Sequence, residues 1–282
     1  MTMNLVLQGP GAAQALLTDV AALARPARSV AISEHALRFE DVDASPDVRD
    51  RVAAAAYAAG VDATFIAAGR TLADFRLVAM DMDSTLITIE CIDEIADMQG
   101  LKAQVSEITE AAMRGELDFA ASLTRRVALL EGLEASALAR VYEERLRISP
   151  GGEAMLAAVQ AAGLKTLLVS GGFTFFTERL QARLGLDYAH ANVLEIENGR
   201  LTGRVVGGIV DAEEKRRTVE RVCAELGIEP RQAIVMGDGA NDLRMMGIAG
   251  LSVAFRAKPV VRAQADVALN FSGLDGIVKI LA

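Results

Sequence analysis

The chain has 282 residues, 52% of them hydrophobic, with a mean hydropathy of +0.28, enough to bury a sizeable core in one large domain or two. Its 29 basic and 38 acidic side chains leave a formal charge of −9 with no basic cluster. With aromatics at 4%, that balance excludes a phosphate-tracking or base-stacking nucleic-acid surface, so an anionic substrate has to be met by local positive charge.

The first eighteen residues are uncharged but interrupted by Asn4, Gln8, Pro10, Gly11 and Gln14, and no Lys or Arg precedes an apolar block. This reads against a signal peptide or membrane span and for a cytoplasmic protein. A strand "NLVLQG", a helix over Ala12–Ala24, strands "SVAIS" and "ALRFE", an Ala-rich helix over Pro46–Ala59 and a strand "DATFIAAG" follow in order. That succession is the split βαβ pattern of a small ferredoxin-like α+β domain over residues 1–70, joined by "GRTLADF" to what comes next.

From Arg76 apolar strands alternate with helices, the pattern of a doubly wound, Rossmann-like parallel α/β sheet. The expected strands are "LVAMD", "KTLLVS", "QAIVMGD", "GLSVAF" and "DVAL", and their near-continuous hydrophobicity fits burial on both faces. Residues 88–149 carry only helical periodicity and are too many for a plain crossover. They read as a helical cap inserted into a core formed by 76–87 and 150–282. Asn198-Gly199 between alternating runs marks a hairpin. Cys91 and Cys223 lie in apolar periodic segments and read as reduced core residues.

Three apolar runs end in polar clusters: Asp81-Met82-Asp83-Ser84-Thr85, Ser170-Gly171-Gly172, and Gly237-Asp238-Gly239-Ala240-Asn241-Asp242. Each alone is an ordinary turn composition. Ligands of open parallel sheets bind at the carboxyl ends of strands, so together the clusters are expected to face one crevice. Two ionised carboxylates at ~4 Å repel by roughly 4 kcal/mol at an effective dielectric near 20, and a cation should therefore accompany Asp81 and Asp83. The oxygen-rich set Asp81, Asp83, Asp238 and Asp242, without His or Cys beside it, suits Mg²⁺ better than zinc. Ser170 and the amides of Gly171 and Gly172 can donate to phosphate oxygens. Lys215, four residues before Val219 on a face with Val222, Cys223 and Leu226, can point inward, and Arg216 competes for that role on spacing alone.

Glu90 by itself reads as a solvated helix-start glutamate. In "SLTRRVALL" the apolar stripe Leu123, Val127, Leu130 places Arg126 on its face and turns Arg125 away. Met113 and Phe119 read alone as core. His35 and His190 have no ligand-like partners, and "EEKRRTVER" reads as a solvated helix face apart from Lys215.

"DMDSTL", "SGG", Lys215 and "GDGAND" resemble the four motifs of the haloacid dehalogenase superfamily of phosphotransferases. The runs "DSTLITIECIDEIA", "MRGELDFAASLTRRV" and "SGGFTFF" are similar to its phosphoserine phosphatase family, from Arg76 to the C-terminus. The first ~70 residues resemble, more weakly, the ACT-like domain that precedes the catalytic part in many bacterial members, and fit dimerisation into a homodimer, serine feedback or packing. The resemblance implies Asp81 as a nucleophile that forms an aspartyl-phosphate and Asp83 as general acid, then base. It implies Mg²⁺ held by Asp81, the Asp83 carbonyl and Asp238, with Asp242 nearby. Ser170, Gly171, Gly172, Lys215 and Asn241 would hold phosphate, Glu90 the ammonium and Arg126 the carboxylate of O-phosphoserine, with Met113 and Phe119 as lid residues. The implied reaction is Mg²⁺-dependent hydrolysis of that small molecule, the last step of serine biosynthesis. Competing readings are phosphoryl transfer to homoserine, another small phosphomonoester, or a non-catalytic amino-acid sensor. A receiver of the last kind needs neither an acid two residues after its phosphorylated Asp nor a cap.

Overall fold

The computed structural model describes residues 2–113 and 116–282, without the side chains of Ala112 and Met113. β1 (Met3–Gln8), α1 (Gln14–Ala21), β2 (Arg28–Ser33), β3 (Ala36–Glu40), α2 (Pro46–Ala58) and β4 (Asp62–Ala67) form an antiparallel sheet in the order β2-β3-β1-β4 with two helices on one face. Alternation sorts its side chains. Leu5 and Leu7 of β1 meet Leu17, Phe39, Val48 and Val52 in a local core, while Val6 and Ile66 point the other way and join the main core beside Phe75. Buried Asp62 fastens the seam by accepting from the backbone N–H groups of Asn270, Phe271 and Ser272, with Asn270 at 2.7 Å and Ser272 at 2.8 Å.

The chain continues through β5 (Leu77–Met80) and the inserted helices α3 (Cys91–Asp97), α4 (Lys102–Met113), α5 (Phe119–Ala128) and α6 (Ser136–Arg140). It then runs through α7 (Gly152–Ala161), β6 (Lys165–Phe173), α8 (Thr174–Leu184), β7 (Tyr188–Glu197), β8 (Arg200–Val206), α9 (Ala212–Glu225) and β9 (Ala233–Gly237). It closes with α10 (Leu243–Met246), β10 (Leu251–Phe255), α11 (Pro259–Arg262), β11 (Val267–Leu269) and α12 (Gly276–Ile280). These seven strands form one sheet in the order β11-β10-β9-β5-β6-β7-β8, parallel except for the β7–β8 hairpin. β5, first in sequence, lies between β9 and β6, which makes its end the switch point where crossovers diverge and a crevice opens. Every residue of β5 and β9 is buried, as two-sided coverage requires.

Seven strands rather than the five expected complete this sheet because the hairpin strands belong to it, and β7 starts earlier, at Tyr188. There "YAHA" pairs in parallel with β6 without a continuous apolar run to announce it. Asn198 (φ 52°) and Gly199 (φ 77°) take the left-handed turn conformation expected of the hairpin. The insertion leaves after Ile87 and returns at Ile148, which bridge each other, and it is tied to the hairpin by Gly132 N–H to Leu201 O and Leu201 N–H to Leu133 O, both 2.8 Å. Among the described residues no helix is long and apolar enough to cross a membrane.

Candidate active site

The Asp81 N–H donates to Met236 O at 3.0 Å, extending β5 by one residue along β9, after which the backbone turns sharply with Ser84 at φ 57°. Leu86 N–H reaches back to Asp81 O and Ile87 N–H to Met82 O, closing a wide turn. The turn buries Met82 fully and leaves Asp81 5% exposed and Asp83 half-buried, two residues apart, just past the end of β5. Thr85 Oγ1 donates to Asp238 Oδ1 at 3.2 Å, linking the ends of β5 and β9.

Asp211 caps α9 by accepting from the N–H groups of Glu213 and Glu214 at 2.9 and 2.8 Å. One turn on, fully buried Lys215 donates to Asp81 Oδ1 and Asp242 Oδ1, both at 2.7 Å. The competition left open by spacing is thereby resolved, because Arg216 lies on the outer face and pairs with Glu213 and Glu220. Asp242 Oδ2 accepts from the N–H groups of Asp238 and Gly239 at 3.1 and 3.0 Å, so both its oxygens brace the site. Gly237 is required for this closeness, since a Cβ there would lie 2.4 Å from Asp242 Oδ2.

Ligand atoms of Asp81, Asp238 and Asp242 lie within 4.8 Å of one another, and the Asp83 side chain stands outside this triad. Three ionised carboxylates against one ammonium leave two excess negative charges, which a divalent cation with a preference for oxygen would offset. The donor set therefore fits Mg²⁺. Burial would pull the Lys215 ammonium down, but Asp242 and Asp81 outweigh it and hold it above its ordinary value. Burial pushes the Asp81 carboxyl well up, opposed by Lys215 and reinforced by Asp242 and Asp238. Burial, with Asp242 and Glu90, raises Asp238 to about 7, and burial with Glu90 raises Asp83 to about 8.

A carboxyl whose folded pKa exceeds its unfolded value binds more protons when folded. Its contribution is whole below pH ~4 and is lost as the pH climbs through 7 to 8. The melting temperature of chelator-treated protein is thus expected to fall from about pH 5 to 8. Mg²⁺, which selects ionised ligands, is expected to raise it more at pH 8 than at pH 5. Thermal melts at both values check this, and an equal or larger increment at pH 5 contradicts it.

At the end of β6, Gly172 N–H donates to the hydroxyl of buried Ser170 at 2.8 Å. The Gly172 amide, expected to face a ligand, is instead engaged within the loop by Ser170. Phe119, first residue of α5, covers this loop, its Cζ 2.8 Å from where a Cβ on Gly171 would stand. Asn241 folds back with Oδ1 2.2 Å from the corresponding point on Gly239. The insertion brings in Glu90, which accepts from Ser84 Oγ at 2.6 Å. It also brings in half-buried Arg126, whose Nε donates to Ser122 O at 3.4 Å, while Arg125 is exposed as the periodicity predicts. Burial draws Arg126 down, against the opposing charges of Asp93, Glu90 and Asp83. The side chain of Met113 lies outside the described residues.

Three contributors escaped the sequence reading. Thr85 was visible in the motif but had no role assigned. Cys91 is buried core, as read, and lies close enough to Asp83 to oppose the rise of that carboxyl. Asn192 is fully enclosed on β7, donating from Nδ2 to Gly171 O and accepting at Oδ1 from Val210 N–H, both at 2.8 Å. A polar residue inside "HANVL" was its only signal.

Acidic strand ends gathered at a switch point around a buried lysine, beneath a helical insertion, define a hydrolase of the α/β class. The family model for haloacid dehalogenase-like hydrolases matches residues 78–247. A phosphoserine phosphatase of Polaromonas sp. is 59% identical over 215 residues, spanning 74% of this chain and 91% of that protein. Among solved structures, a HAD family hydrolase from Salmonella enterica serovar Typhi superposes with a TM-score of 0.89 at 32% identity, covering 100% of this chain and 99% of that one. A probable phosphoserine phosphatase from Vibrio cholerae does so at 0.84 and 36% identity, covering 99% and 86%. The chain belongs to the haloacid dehalogenase-like hydrolase family.

Proposed function

We propose that this protein hydrolyses O-phosphoserine to serine and inorganic phosphate, with Mg²⁺ as cofactor and Asp81 as nucleophile. One observation carries the reading: the Asp81–Lys215 pair shares its crevice with a zwitterion-matching set, Glu90 and Arg126, supplied by the insertion. An Asp81 oxygen forms a bond to phosphorus as the bond from phosphorus to the serine oxygen breaks, and Asp83 gives that oxygen its proton. A carboxyl raised to about 8 still holds this proton at neutral pH. Water then attacks phosphorus and yields a proton to Asp83, the acyl-phosphate bond breaks, and Asp81 is restored. Lys215, Ser170, Gly171 and Asn241 stabilise the phosphoryl oxygens, with Gly172 behind Ser170. Asp81, Asp238 and the Asp83 carbonyl would hold Mg²⁺, with Asp242 as brace. When bound, the ion supplies charge neutralisation between nucleophile and phosphoryl group. Phe119 closes the site from the insertion, and Met113 is assigned the same lid role.

The same reading assigns residues 1–70 to an ACT-like domain, 76–87 and 150–282 to the core and 88–149 to the cap. The open edge β2, where Val30 is 43% exposed, is the surface a homodimer would use. Phosphate release across both phosphoserine enantiomers, phosphothreonine, phosphoethanolamine and an aryl phosphate tests the substrate. L-Phosphoserine is expected to lead, and preference for the aryl phosphate overturns the assignment. Phosphoryl transfer to added homoserine exceeding phosphate release would overturn hydrolysis. Arg126→Ala is expected to lower kcat/KM for phosphoserine about 100-fold and for phosphoethanolamine, which lacks the carboxylate, less than about 5-fold. Equal losses would show that Arg126 acts by packing.

A further inference from the structure

We propose that Asn192 is a positioning residue that orients the Ser170 hydroxyl and the Lys215 helix together; this rests on the phosphate-binding role assigned above to Ser170 and Lys215. The β6–β7 ladder breaks between Val169 and Phe173, and resumes where Phe173 faces Asn192. The residues in the break lose their strand partners, and a buried carbonyl without a donor is costly. Asn192 supplies the missing donor to Gly171 O at 2.8 Å. Because a trans peptide is planar with its C=O and N–H opposed, fixing the Gly171 carbonyl also fixes the Gly172 N–H. That N–H points at Ser170 Oγ, 2.8 Å away. With a lone pair of Ser170 so engaged, its O–H hydrogen is left to donate to a phosphoryl oxygen.

The other half of the amide accepts from Val210 N–H at 2.8 Å, one residue before Asp211, the cap of the helix that carries Lys215. The amide has a single workable orientation, since a carbonyl can only accept and a backbone N–H can only donate. One side chain, 1% exposed, therefore sets the spacing between the two groups that grip the phosphate from β6 and α9. A residue chosen only to fill space would be apolar here, because a buried amide gains little unless both ends are used.

The isosteric Asn192→Asp separates this role from packing. Protonated, the new carboxyl donates to Gly171 O and accepts from Val210 N–H; ionised, it sets an anionic oxygen against the Gly171 carbonyl. Its kcat/KM relative to wild type is expected to be highest at the acid end of a profile from about pH 5.5 to 8.5 and to fall at least about tenfold across it. Normalising to wild type at each pH removes groups common to both, such as Asp83, His190 and Glu214. Asn192→Ala, which discards both bonds without adding charge, is expected to weaken competitive inhibition by inorganic phosphate about tenfold or more. A flat or rising Asn192→Asp ratio, or unchanged phosphate inhibition in Asn192→Ala, overturns the proposal. Wild-type turnover of phosphoserine reports separately on the function itself, and phosphate affinity measured by titration calorimetry, with the same expected loss in Asn192→Ala, remains readable if that reading fails.

Discussion

Asp81→Asn is expected to lower phosphoserine hydrolysis by about 10⁴-fold or more while leaving the fold intact. The size follows from what the carboxylate is asked to do. Phosphate monoesters are among the slowest reactions to hydrolyse without a catalyst, with enhancements up to ~10²¹, and an amide supplies neither the nucleophile nor the charge that draws a cation. The fold should tolerate the change, because an amide matches the carboxylate in shape and its oxygen still accepts from Lys215, which stands 2.7 Å from Asp81 Oδ1. Removing one charge from a cluster already raised by burial and by Asp242 and Asp238 relieves repulsion, so the melting temperature should hold or rise in metal-free protein. Steady-state kinetics beside thermal melts check both halves. Ordinary turnover, once deamidation is excluded by mass, would remove Asp81 as nucleophile.

Lys215→Ala acts on the same cluster with the opposite consequence. Lys215 is 0% exposed and its ammonium satisfies Asp81 and Asp242 together. Deleting it strands two buried carboxylates, and breaking such a pair costs about 3–5 kcal/mol. Activity is expected to drop about 10³-fold, since the phosphoryl oxygens lose a fixed positive charge as well. Chemical denaturation at neutral pH checks the stability, and Mg²⁺ is expected to recover part of it by taking over some of the charge balance. A variant as stable as wild type without metal would show that the acids are already protonated and need no cation. Arg216→Ala is the control, because among the described residues Arg216 pairs with Glu213 and Glu220 on the outer helix face and should change little.

What the sequence disclosed and what it withheld follow physical lines. Acids directly after apolar runs broke the composition of a buried strand, so Asp81, Asp83 and Asp238 stood out, and strand order brought the three loops to one end of the sheet. Helical periodicity separated Arg126 from Arg125 because only one of them faces the buried stripe. Lys215 and Arg216 were not separable, since adjacent residues near a helix start can both approach a core boundary and only tertiary contacts decide. Asn192, Asp62 and the early start of β7 were out of reach for a related reason. Each owes its role to a partner distant in sequence: Asp62 caps backbone 208 to 210 residues away, and Asn192 bonds Gly171 across 21. Local pattern carries no trace of such pairings.

Acid quenching during phosphoserine turnover, followed by peptide mass analysis, tests the covalent role of Asp81 most directly. A peptide containing Asp81, heavier by one phosphoryl group and absent from Asp81→Asn, is the predicted result. A phosphoryl group on another residue, or hydrolysis at full rate with no protein-bound phosphorus at any quench time, would contradict it.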